Sequence, residues 1–149
     1  MTPNRDDATE KSLISAIDPA VYAADNTPGA ISLVDFQCAT LALAIGVGGI
    51  TFSGTNKIEF VLTHSDDGVT YTNVTDDDVV KDAFCPATIT NGIVRSLTAA
   101  HAAATTQKLG YIGGKAYTKL LADFSGTHAT GTPISATWIR ECGIVVGAA

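Results

Sequence analysis

The chain has 149 residues, a mass of 15.3 kDa and a formal net charge of −6, and only 16% of its residues are charged. That length supports one domain whose core needs no metal or disulfide staples, and so little charge suits a surface that meets other protein better than the surface of a freely diffusing enzyme. Its six lysines and three arginines are spread from Arg5 to Arg140 without a cluster, which argues against nucleic acid as a partner, because neutralising a phosphate backbone needs concentrated cations.

Residues 1–12 are polar and charged, with Pro3 near their start. Nothing in them can build a core, so they read as an extended arm that orders only against a partner. They also lack the apolar stretch of a signal peptide. Residues 13–149 read as a single β-sandwich domain without an internal linker. Residues 15–24 set Ile17, Val21 and Tyr22 around Asp18-Pro19, and the proline confines this run to a sheet edge or a strand start. Asn26-Thr27-Pro28-Gly29 is a turn and residues 30–36 a short strand. In residues 39–47, Leu41, Leu43, Ile45 and Val47 alternate with Thr40, Ala42, Ala44 and Gly46. One face is then apolar, and the other is made of small side chains that admit a second layer, a subunit or a packed loop. The longest apolar region, residues 38–52, is broken by Gly46, Gly48 and Gly49 and is too short to span a bilayer, so no membrane is expected as a partner.

Residues 57–74 predict a β-hairpin. Ile58, Phe60 and Leu62 share a face, Ser65-Asp66-Asp67-Gly68 supplies the reversal, and Val69 and Tyr71 resume the strand. Asp76-Asp77-Asp78 marks a brief helix beginning near Thr75, where carboxylates meet the positive end of the helix dipole. Residues 89–97 read as a strand across Asn91-Gly92, and the Ala/Thr-rich residues 98–107 as a loop in preference to a helical turn. Residues 108–112 and 115–124 predict two strands paired about Gly113-Gly114, and residues 134–146 a closing strand after the loop at 126–133. About eight short strands with one or two short helical turns make an all-β chain, an antiparallel β-sandwich or jelly roll, or a small barrel, with an extended N-terminal arm.

His64 lies beside Ser65, Asp66 and Asp67, the one place where a nucleophile, a base and carboxylates adjoin. Neighbours in a strand and turn point in different directions, whereas a catalytic triad draws on separated segments and an oxyanion hole, and no G-x-S-x-G elbow is present. His64 therefore reads as the end of the Ile58, Phe60, Leu62 face, and no catalytic residue is assigned. His64, His101 and His128 with Cys38, Cys85 and Cys142 show neither i,i+4 pairing nor a C-x-x-C knuckle. No metal or cofactor site is assigned, and the cysteines, odd in number, read as small buried hydrophobes. Asp66, Asp67, Asp76, Asp77 and Asp78 do not follow an EF-hand spacing and read as turn and cap residues. Residues 110–115, GYIGGK, carry glycines like those of a phosphate loop, but a strand-like run follows them where a phosphate loop needs a helix. Tyr111 and Tyr117 read as sandwich aromatics, with Tyr71, Tyr111, Tyr117 or Trp138 stacking on sugar as the alternative.

THSDDGVTYTNV at residues 63–74 and GYIGGKAYTK at residues 110–119 resemble turn-and-strand motifs of small virion proteins of tailed bacteriophages, encoded beside major capsid genes. The resemblance covers residues 33–146, and this chain departs from the pattern at Ala116, where a basic residue is common, and in the Ala/Thr insertion near residues 98–107. It implies a non-enzymatic capsid decoration, or cement, protein: a homo-oligomer on the head exterior, bound to the major capsid protein and assembled in the bacterial host cytoplasm. The arm would lie along the shell and the small-residue faces would join subunits. The alternatives are a carbohydrate-binding or host-adhesion module on a virion surface, and a tail or head-tail connector component.

Overall fold

A computed structural model describes residues 8–141; residues 1–7 of the expected arm and residues 142–146 of the expected last strand lie outside the described residues. In chain order the strands are β1 (Ser12–Tyr22), β2 (Ile31–Ser32), β3 (Cys38–Ile45), β4 (Lys57–Ser65), β5 (Thr72–Asn73), β6 (Val79–Val80), β7 (Ile93–Leu97), β8 (Thr105–Tyr111), β9 (Tyr117–Ser125) and β10 (Thr132–Glu141). A 3-10 turn, Asp76–Asp78, precedes β6. The first sheet runs β1-β10-β3-β8-β6 and the second β2-β9-β4, with β5 and β7 both on the edge of β4 that β9 leaves open. Every pairing is antiparallel, and the two sheets pack as a β-sandwich.

Period-two alternation supplies both inner faces. Ile58, Phe60 and Leu62 of β4 and Leu120 and Ala122 of β9 face Leu41, Leu43 and Ile45 of β3, Leu109 of β8 and Ile134, Ala136 and Trp138 of β10, all buried. At about 25 cal/mol per Å² of apolar surface removed from water, this shared layer is the main stabilising term. Asp18-Pro19 falls in β1, which is the free edge of the first sheet and shifts register between Ser15 and Ile17 and between Ile17 and Ala20. Proline has no N–H to give to a ladder, so an edge with bulges is where it fits.

Several expectations are corrected. The pairing of the 108–112 and 115–124 runs about Gly113-Gly114 does not occur: β8 pairs β3 and β6 in one sheet, β9 pairs β2 and β4 in the other, and the glycines carry the chain between sheets. A Cβ on Gly113 would lie 2.8 Å from Tyr111 Oη and 2.9 Å from Asp78 Oδ1, so the crossing is tight against the core. The hairpin at residues 57–74 is lopsided, because Thr72–Asn73 is all that returns along β4 and the long partner of β4 is β9. Val47 lies past the end of β3 and is exposed. The expected strand at 89–97 starts only at Ile93, since Asn91 (φ 54°) and Gly92 (φ 74°) take the left-handed turn conformation that interrupts a strand. Residues 98–104 are loop as expected, but β8 takes in Thr105, Thr106 and Gln107.

Candidate functional site

The chemically richest cluster sits where β4 ends. His64, 4% exposed, continues the inward stripe of Phe60 and Leu62 and reaches across the sandwich to Tyr111 on β8. Tyr111 Oη accepts the Lys115 N–H (3.1 Å) and shares a second hydrogen bond with Nδ1 of His64 (2.9 Å). The other ring nitrogen, Nε2, lies 4.0 Å from Asp78 Oδ2. Burial lowers the His64 pKa, and Asp78 acts in the opposite direction. Burial likewise raises the Tyr111 pKa. The pair is a bridge between sheets, closed above by an ion pair of Lys115 with Asp66 (3.0 Å).

The neighbouring serine and carboxylates serve the chain reversal. Ser65 Oγ donates to Asp67 Oδ1 (2.8 Å) and accepts from the N–H groups of Asp67 and Gly68. Asp67 also accepts from Val69 and Thr70 N–H, and these backbone donors hold its carboxyl at about 2. Ser65 makes no bond to His64, so this serine and this base are not brought together. Asp78 accepts from the Thr75 N–H (2.7 Å) and hydroxyl (3.0 Å), and Asp76 pairs with Lys81 (2.6 Å). Asp67, Asp76 and Asp78 are thus occupied as turn and cap groups, and among the described residues no group of three or more His, Cys, Asp or Glu could hold a metal.

His101 lies beside Thr105 and His128 between Phe52 and Phe124, far from His64 in the fold. Cys85 is half-buried against Gln107, whereas Cys38 is exposed, against the expectation of a buried position; β3 begins with its side chain on the outward face. Cys142 lies outside the described residues. Of the four aromatics of the sugar-binding alternative, Tyr111 and Trp138 are buried and meet edge to face. Tyr71 has Lys119 Nζ 4.3 Å above its ring.

Sequence reasoning missed Arg95 and Gln107. Arg95 faces inward on β7, its guanidinium 4.2 Å over the Phe84 ring and within 3.4 Å of Thr105 Oγ1. Gln107 donates to Val94 O and to Cys85 Sγ. Burial pushes the Arg95 pKa down while Asp82 opposes it. The two residues close the open side between β7 and β8 under residues 81–89. A signal existed: Arg95 falls at the inward phase of its strand, opposite Phe60.

The outward surfaces differ. On the first sheet, cross-strand neighbours form the rows Leu13, Ile139, Thr40, Gly110, Val80, then Ser15, Thr137, Ala42, Lys108, then Ser135, Ala44, Thr106. Lys108 is the one charged residue in them. This is the small-residue face expected of residues 39–47, widened to five strands. Its lower end opens into an apolar groove of about 440 Å³ beside Pro19, Val21 and Pro133. Among the described residues, no helix is long and apolar enough to cross a membrane. No family model, curated protein or solved structure matches the chain.

Proposed function

We propose that the chain is a non-enzymatic structural protein of a tailed-phage virion. In this reading it is a decoration or cement subunit that binds the major capsid protein on the head exterior, across capsomer boundaries, and associates with further copies of itself. Neither nucleic acid nor membrane is a partner. The observation that carries the reading is the outward face of the first sheet: in a chain of net charge −6, its three central rows hold one lysine among small and apolar side chains, and charge returns past Ile139 at Glu141, which pairs with Lys11. Such a face suits contact with protein. The commitment of Ser65, His64 and the aspartates to turn and core bonds supports a role without turnover.

The mechanism is linkage. A ligand that binds the expanded shell and not its precursor or disrupted states stabilises that shell by RT ln(1 + [L]/Kd), about 2.7 kcal/mol at a hundredfold excess over Kd. Purified protein added to undecorated expanded heads is expected to bind to saturation and to raise their resistance to heat and to DNA loss. Heads that reach full occupancy without gaining stability overturn the cement role.

A further inference from the structure

The register of the first sheet makes its outward face self-complementary. β3 is the middle of five strands, so a two-fold axis laid along it carries β10 onto β8, and β1 onto β6, of a second copy. In the first row this sets Ile139 over Gly110 of the second copy, a branched side chain over a position that has none. It also sets Leu13 over Val80, side chains left 66% and 57% exposed in the single chain. In the second row Thr137 meets Lys108, whose ammonium can donate to the hydroxyl, and in the third Ser135 meets Thr106. Thr40, Ala42 and Ala44 meet their own counterparts at the axis. Their small size lets the faces approach to the ~10 Å spacing of packed sheets, with strands inclined by the ~30° that twist imposes.

We propose that this face joins two copies of the chain in a two-fold dimer, with the β3 strands running in the same direction. Charge favours a second copy here over any other surface. Copies of an acidic chain repel one another, and this face presents only a cation in its central rows. The outward face of the second sheet instead sets Glu59 directly opposite Asp123 and would confront the same pair. Four strand spacings of about 4.8 Å by eight residues at about 3.3 Å give a footprint of roughly 500 Å² per copy. The pair buries about 1,000 Å², the lower bound for a specific interface. The association is therefore weak and depends on concentration. It deepens the self-association within the virion reading but rests on no contact with a head, so it is tested on the isolated protein.

Sedimentation velocity from micromolar to near-millimolar protein should show a monomer–dimer equilibrium. Ala42→Glu, which faces two carboxylates at the axis, should weaken it at least tenfold while leaving the thermal midpoint of the monomer in place. A register-specific pair guards against a trivial loss: Thr137→Lys should dissociate the dimer by facing Lys108 of the second copy, and adding Lys108→Glu should restore it. Within one chain these two positions are separated by β3, so the rescue reports contact between copies. A parent that stays monomeric throughout, a folded Ala42→Glu variant that dimerises like the parent, or a folded double variant without recovery overturns the proposal. Monomeric protein that still stabilises heads leaves the cement role standing, and a dimer that binds no heads leaves this interface standing.

Discussion

On the first sheet the central outward rows are built mainly of Ala, Thr, Ser and Gly, with Lys108 their one charge and apolar side chains at Leu13, Ile139 and Val80, and on the second they place Lys57 beside Ser125, Glu59 beside Asp123, and Thr63 beside Lys119. The Val61, Leu121, Ile93 row interrupts that charge. Beneath them the inward rows are alike, both mainly apolar, with Gln107 beside Leu43 in one and Arg95 beside Phe60 in the other. The difference teaches that folding constrains only half of each strand. One phase of each strand builds the core, and the other phase is free to differ. One outward phase has the composition of an interface, the other that of a solvated surface.

The comparison breaks first if the common core is removed. Phe60, fully buried at the middle of β4, meets both sheets, and Phe60→Ala is expected to destabilise the domain by about 3–5 kcal/mol through lost burial and a residual cavity. Chemical denaturation would read it. A midpoint equal to that of the parent would mean that the inward phase of β4 is assigned one residue out of register.

A smaller effect sharpens the comparison where the two sheets are tied together. His64→Leu removes the hydrogen-bond partner of the buried Tyr111 hydroxyl and should cost about 1–3 kcal/mol near pH 7. The pH dependence has a fixed sign. Because the folded-state pKa lies below the ordinary 6.5, the unfolded chain takes up the proton first, so the contribution of His64 is complete above pH 6.5 and is lost as pH falls through 6.5 towards the lower folded value. Asp78, Asp66 and Lys115, which face the ring, travel with it in both proteins. The parent should therefore lose stability over that window more steeply than His64→Leu, and parallel curves would remove His64 from the acid response.

Much of this was legible in the sequence for one physical reason: alternation reports which way a side chain faces. The Ile58, Phe60, Leu62 stripe, the small face at Thr40, Ala42 and Ala44, the edge position of Pro19, the Ser65 to Gly68 reversal and the turn after Thr75 all follow from local rules. Partnership is not local. GYIGGKAYTK contains two strand-like runs about a Gly-Gly step, and nothing in their periodicity distinguishes a hairpin from a crossing between sheets; Tyr111, anchored by His64 from a distant strand, decides it. Arg95 and Gln107 escaped notice because their burial depends on residues 81–89 folding over them. The outward rows could not be read either, since a row such as Leu13, Ile139, Thr40, Gly110, Val80 draws on five separate segments.

The smallest expected effect lies on the charged face. Glu59 forms an ion pair with Lys57 (2.9 Å) and stands directly across from Asp123, so attraction along β4 is offset by repulsion across to β9. Asp123→Lys turns that cross-strand pair into an attractive one. Directly opposed charges are worth a few tenths to about 1 kcal/mol, and partial exposure with solvent screening reduces the gain, so a stabilisation of about 0.2–0.5 kcal/mol is expected at low salt. Added salt should stabilise the parent slightly and erode the gain of the variant, because screening relieves repulsion in one and weakens attraction in the other. Lys108→Ala on the opposite sheet provides the contrast: Lys108 has Ala42 as its β3 neighbour, so the monomeric variant should follow the parent's salt response. If Asp123→Lys and Lys108→Ala responded to salt identically, the two outward faces would not differ electrostatically, and the charge argument that separates them would fail.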